Sequence, residues 1–290
     1  MVLELPKPFT LPPTGKDVYR NFVIPHGLTG PRYLRAAEFR PGATSAIHHA
    51  FILVDNTGRA RREAGANDGS FGGMDAAGAS APEGMFMSWQ PGKQVSESPP
   101  GVATLLQKST DFVLQLHMRP TGKPEEIQPS VALYFSDQPP TRRPVVFLLR
   151  SVEMDIPAGA RDYAIESSYQ LPVDVDVISI LPHVHYLGKE IHAWAELPGG
   201  TRRELLLIKE WDFNWQGEYR YAEPVFLPKG STISMRFTYD NSTANPRNPH
   251  QPPRRVTYGL QSSDEMGELW FQTIPRNAAG YEVFKRDGIK

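Results

Sequence analysis

Proline and glycine, 28 and 24 of 290 residues, interrupt this chain at short intervals. The segments between them are mostly runs of roughly four to eight residues rich in Val, Ile, Leu, Phe and Tyr, the pattern of strands bounded by turns. Examples are Ala50–Val54 before the turn Asp55-Asn56-Thr57-Gly58, Val131–Phe135, Val145–Leu149 and Ile233–Tyr239. Ala193–Leu197 and Glu204–Ile208 flank Pro198-Gly199-Gly200-Thr201, a hairpin connection. Long helical periodicity is missing, so the sequence predicts an all-β protein. A chain of this length exceeds the size at which one core usually keeps growing. The polar, proline-bearing stretch Ser136–Pro144 is the natural linker, giving expected domains 1–143 and 144–290, each a β-sandwich. Residues 56–84, rich in Gly, Ala and Asp, read as a long loop or excursion with little core to bury, and no internal repeat of fixed period is evident.

Composition narrows the chemistry. Thirty-one basic against 32 acidic side chains argue against a nucleic-acid or anionic-membrane partner, which calls for a net basic surface. Cysteine is absent, which removes disulfides, thiolate metal sites and cysteine nucleophiles together. Any metal here is held by imidazole, carboxylate or thioether. No apolar run approaches a membrane span, and Met1–Pro8 lacks the basic start and apolar core of a signal peptide. The expectation is a cytosolic protein or a piece of a longer exported one.

Histidines carry the sharpest signal. His183-Val184-His185 predicts two imidazoles on one face of a strand, where both can close on a single metal ion. Two ligands are too few, and the candidates for a third in the same domain are His192, His250, the carboxylates and Met266 in Ser263-Asp264-Glu265-Met266. His48-His49 form a second cluster. Adjacent residues face opposite ways on a regular strand, so joint coordination there requires a bulge or a strand end, which Arg40–Ser45 offers. His117 closes the strand-like run Phe112–His117. A serine hydrolase is disfavoured because no Gly-x-Ser-x-Gly elbow exists. Zinc hydrolysis is the better rival, since three histidines and a water suffice for it.

Taken in order, Ile47-His48-His49-Ala50, Gln115-Leu116-His117, His183-Val184-His185-Tyr186-Leu187-Gly188 and Ser263-Asp264-Glu265-Met266 resemble the type II, ascorbate-dependent copper monooxygenases. This is the family of the peptidylglycine α-hydroxylating and dopamine β-monooxygenases, and the match spans nearly the whole chain. The resemblance implies two consecutive jelly-roll-type β-sandwiches with metal sites facing an interdomain cleft. It implies one copper on His48, His49 and His117 that receives and passes on electrons. A second copper would lie on His183, His185 and Met266, where oxygen is activated and substrate attacked, and Gln115 matches a supporting position. The cofactors implied are two copper ions per chain, with ascorbate or another one-electron reductant as co-substrate. Ligand chemistry agrees, because a soft thioether favours Cu(I).

Departures from the family shape the expected substrate. Peptide-amidating members carry an arginine two residues before the His-x-His, where this chain has Leu181. The asparagine and tyrosine two and four residues after the ligand methionine are replaced by Glu268 and Trp270. A carboxylate repels a substrate carboxylate. The expectation is hydroxylation of a C–H bond of a small neutral, aromatic or cationic substrate with O2, not peptide amidation. The alternative is a non-catalytic copper-binding or electron-transfer module. Missing cysteines, set against disulfide-rich animal members, imply a bacterial relative, and bacterial sequences of this type, often the C-terminal part of a longer exported protein, imply a periplasmic or otherwise exported location. Bacterial sequences of this type share Trp211–Gln216 and Tyr239–Pro246, and often follow a fused cytochrome c-like electron donor. The plain reading of those two motifs is aromatic core and an Asn/Pro turn. His26, His192 and His250 are taken as surface or structural histidines.

Overall fold

The structure is a computed structural model and describes residues 1–65, 69–82, 84, 87–93, 95 and 97–287. Among the described residues it is all-β apart from two short helices, and the chain divides into two compact units, Met1–Arg143 and Pro144–Lys290.

In the first unit, one four-stranded sheet runs Val2–Glu4, Ser130–Ser136, Arg32–Arg40, Thr104–Leu106 in spatial order. A second sheet runs Ser70–Gly72, Val18–Ile24, Asp111–Met118, Ile47–Asp55, Ser88–Trp89. Alternation sets the packing. Phe112, Leu114, Leu116 and Met118 point inward to meet Leu34, Phe39, Val131 and Leu133 of the facing sheet. Val113, Gln115 and His117 therefore share the outer face.

The second unit repeats the plan. Its sheets are Val145–Arg150, Glu268–Pro275, Val175–His183, Tyr219–Leu227 and Tyr163–Gln170, Thr232–Tyr239, Gly188–Glu196, Arg202–Ile208. Between them lie Phe147, Val177, Ile180, Leu269 and Phe271 on one side and Ile191, Ala193, Ile233, Met235 and Phe237 on the other. Set aside the small Ser70–Gly72 strand and the two-stranded ribbons, and number the main strands of either unit along the chain. Each unit then pairs first–eighth–third–sixth in one sheet and second–seventh–fourth–fifth in the other. That is the jelly-roll order, two interlocked Greek keys. The hairpin read around Pro198–Thr201 joins two of these strands, which pair antiparallel from Ile191 with Ile208 to Glu196 with Arg202.

One expectation is corrected. The stretch 56–84, read as a loop with little to bury, holds the helix Arg59–Ala64; residues 66–68 and 83 lie outside the described residues. Asp55 starts that helix by accepting the Thr57 and Ala60 N–H groups at 2.7 and 2.8 Å. Ala60 and Ala64 then pack with Val23, Val113, Ala76 and Ala77 on the outer face of the five-stranded sheet. A second helix, Ala278–Asp287, buries Tyr281 and Phe284, and Phe284 packs on Phe147 and Tyr169. Among the described residues no helix is long and apolar enough to cross a membrane.

Candidate metal centres

The Ile47–Asp55 strand slips in register against Asp111–Met118 between Ile47 and His49. Ile47 and Ala50 both face the core, so the inserted residue leaves His48 and His49 together on the outer face. The bulge required for joint coordination is thus inside the strand itself, after the Arg40–Ser45 segment. His49 is the cross-strand partner of His117, and one ligand atom from each of His48, His49 and His117 lies within 4.8 Å of the others. Nδ1 of His48 and Nδ1 of His49 are 3.2 Å apart, and the His117 ring centroid is 5.0 and 4.8 Å from theirs.

His117 is 1% exposed, and its Nε2 lies 2.8 Å from Oδ2 of Asp17. This hydrogen bond holds the Asp17 carboxyl below its ordinary range. An ionised carboxylate only accepts, so Nε2 carries the proton and Nδ1 the lone pair. Nδ1 is buried and has no hydrogen-bond partner. Leaving such an atom unsatisfied costs about 1–3 kcal/mol, and a metal ion shared with His48 and His49 removes that penalty. The Tyr19 ring stacks on His117 at 4.2 Å and 16°, fixing its plane.

The second set is built at a strand end. His183 is the last residue of Val175–His183, and His185 lies just beyond it rather than on the strand as read. Their ring centroids are nonetheless 5.2 Å apart. Nδ1 of His183 is 2.5 Å from Oε1 of Gln216, whose amide nitrogen donates to the Phe213 carbonyl at 2.9 Å. Nδ1 of His185 is 3.1 Å from the Asp264 carbonyl. Both acceptors are neutral oxygens, so each Nδ1 donates and each Nε2 carries the lone pair.

Met266 is brought to this place by Glu265. Oε2 of Glu265 accepts the His185 N–H at 2.8 Å and the Met266 N–H at 3.1 Å, while Oε1 accepts the Leu187 N–H at 2.6 Å. One oxygen thus keeps the His185 and Met266 backbone nitrogens within about 6 Å of each other. Burial pushes the Glu265 carboxyl up to about 8, against the pull of these three donors. The Tyr239 hydroxyl donates to the Met266 carbonyl at 2.8 Å, and the Met266 side chain is buried.

The motifs of unassigned role act as supports. In Trp211–Gln216, Trp211 and Phe213 are buried, Trp215 is 62% exposed and Gln216 holds His183. Trp211 also explains Gly188, where a Cβ would stand 2.7 Å from Trp211 Cδ1 and 2.4 Å from Val184 Cγ2. Asn241 donates to the Ile156, Pro157 and Arg254 carbonyls, and Asn245 to those of Tyr186 and Asp240, closing the loop behind His185.

Gln115 donates its amide N–H groups to Asn21 Oδ1 and the Met74 carbonyl, both at 2.9 Å, tying the excursion to the sheet two residues from His117. His192 pairs with Glu204 at 2.5 Å, His250 donates to the Ser263 carbonyl at 2.9 Å, and His26 bridges Leu28 and Thr110. Glu268 is the cross-strand partner of His183, and Leu181 that of Trp270. The Glu268 carboxylate accepts the Trp270 indole N–H at 3.2 Å. Sequence reasoning missed Asp17, Gln216 and Glu265 as partners of the histidines. Two of them had a signal, Glu265 in its place beside Met266 and Gln216 at the end of the Trp211–Gln216 motif.

No family model matches the chain, and no curated protein matches it. Among solved structures it is similar to the major capsid protein P2 of bacteriophage PM2, at 11% identity over 96% of this chain and 98% of that one, with a TM-score of 0.35. It is also similar to VP2 of the infectious bursal disease virus subviral particle, at 10% identity over 96% of this chain and 72% of that one, with a TM-score of 0.26. Likenesses this low carry no argument.

Proposed function

We propose that this protein is a copper-dependent monooxygenase that hydroxylates a C–H bond of a small organic substrate, using O2 and ascorbate or another one-electron reductant. The observation that carries the reading is the His117 Nδ1, a buried lone pair without a partner, aimed from the same face as His48 and His49. Three imidazoles alone suit zinc as well as copper. The thioether of Met266, tethered through Glu265 to His185, favours Cu(I) for the second set. Copper, when bound, would supply one-electron transfer at His48, His49 and His117 and oxygen activation at His183, His185 and Met266.

The chain's own residues would do the rest. Gln216 and the Asp264 carbonyl fix the His183 and His185 tautomers, so neither ring must reorganise to offer Nε2. Glu268, opposite His183, repels a carboxylate-bearing substrate, which speaks against peptide amidation. Trp270 and Leu181 lie in the next row of the same sheet face and suit an apolar or aromatic substrate body. Export to the periplasm and a cytochrome c-like electron donor belong to the same proposal.

The test is ascorbate-driven oxygen uptake by the copper-loaded chain over a panel of small aromatic, neutral and amine substrates. At least one should give hydroxylated product in step with oxygen consumed. His183→Ala should lower that rate by more than about 100-fold, the upper range for loss of even an outer partner of a metal ligand. Equal rates in His183→Ala and the unsubstituted chain would contradict the proposal.

A further inference from the structure

The two histidine sets differ in what stands behind the rings. At the second set, Gln216 and the Asp264 carbonyl meet the imidazoles with neutral oxygens. Nearby, Glu265 is engaged by backbone N–H groups and Glu268 by the Trp270 indole. At the first set an anionic carboxylate meets a ring directly, Asp17 Oδ2 on His117 Nε2 at 2.8 Å.

The fold places it there deliberately in register. Tyr19 is the cross-strand partner of His117, and Asp17, two residues earlier at the mouth of the same strand, falls on the same face. The Tyr19 ring then prevents His117 from turning away from the carboxylate. A carboxylate hydrogen-bonded to a ligand imidazole does two things. It dictates which nitrogen ligates, and it passes negative charge to the ring, which stabilises the more highly charged state of a bound metal.

We infer that Asp17 is a positioning residue for the first centre: it commits His117 to ligation through Nδ1 and lowers the reduction potential of copper held by His48, His49 and His117. This rests on the copper reading above and deepens it, because a lower potential makes that centre the better electron donor. Arg119 lies near enough to act on Asp17 and opposes its charge. Removing the carboxylate leaves that cation uncompensated, which adds to the rise in potential.

The test compares the full-length chain with Asp17→Asn and Asp17→Glu, each also carrying His183→Ala so that the first centre is read alone. Cu(II) and Cu(I) affinities are measured by chelator competition and the potential by redox titration. Asp17→Asn should weaken Cu(II) relative to Cu(I) by about tenfold, equivalent to a rise of about 59 mV for one electron. Asp17→Glu, which keeps the charge, should recover at least half of the shift. The side chain of Asp17 is 31% exposed, so neither variant threatens the fold. An unshifted Asn variant that still binds copper, or a Glu variant shifted as far as the Asn variant, overturns the role of Asp17 alone. Failure of the triad to take up copper with Asp17 intact overturns the copper reading, and this inference with it.

Discussion

Replacing Glu265 with alanine should destabilise the folded chain by about 3–5 kcal/mol, among the largest losses a single substitution produces. The carboxyl group is fully buried and accepts three backbone N–H groups, from His185, Leu187 and Met266. Alanine leaves all three donors in a dry interior, where each unsatisfied group costs about 1–3 kcal/mol. Partial relaxation keeps the total below the simple sum. Denaturant unfolding of the whole chain measures the loss. Glu265→Gln retains the volume and one acceptor oxygen and should lose less. The same substitutions loosen Met266 from His185, so copper held by thioether should weaken in the same order. An alanine variant within about 1 kcal/mol of the parent would show that the three hydrogen bonds do not hold this corner together.

Copper added to the metal-free chain should raise its stability by about 4 kcal/mol when free metal stands at 1,000 times the dissociation constant. For a unit of this size that is a rise in melting temperature on the order of 10 °C. Within the first unit the increment comes from His48, His49 and His117, whose ligand atoms are already gathered without metal. His117→Ala should abolish that part of the increment while leaving the part due to the second unit. Thermal unfolding at buffered copper concentrations distinguishes the two. A full increment in His117→Ala would mean that the metal binds elsewhere.

What the sequence revealed follows from the range of the interactions involved. Strands such as Thr232–Tyr239 and Val145–Arg150 were legible because alternation and bounding turns are local. The short helices were not. Ala60 and Ala64 lie one turn apart in a Gly- and Asp-rich setting, and Tyr281 and Phe284 give only a single helical repeat. The shared jelly-roll order of the two units leaves no sequence period, because it resides in strand pairing and not in residue identity.

At the candidate sites, histidine spacing pointed to His48, His49, His117, His183 and His185. The pairing of their outer partners stayed hidden, since Asp17 lies 100 residues from His117, and Gln216, although it closes the Trp211–Gln216 motif, lies 33 residues from His183. Asp17 follows Thr14-Gly15-Lys16, a polar stretch that reads as loop until the strand pairing brings it beside the ring. The bulge at His48 is likewise set by the partner strand, against which two residues occupy the space of one.

The copper reading requires two redox-metal centres, one in each unit, with sulfur from Met266 in the second. X-ray absorption of the reduced, anaerobically copper-loaded full chain tests it most directly, beside Met266→Leu, a near-isosteric change that should cost less than about 1.5 kcal/mol. The expected result is two coppers per chain, imidazole scattering from both, and a sulfur scatterer that disappears in Met266→Leu. A single zinc-preferring site, or a copper spectrum without sulfur in the unsubstituted chain, would contradict it.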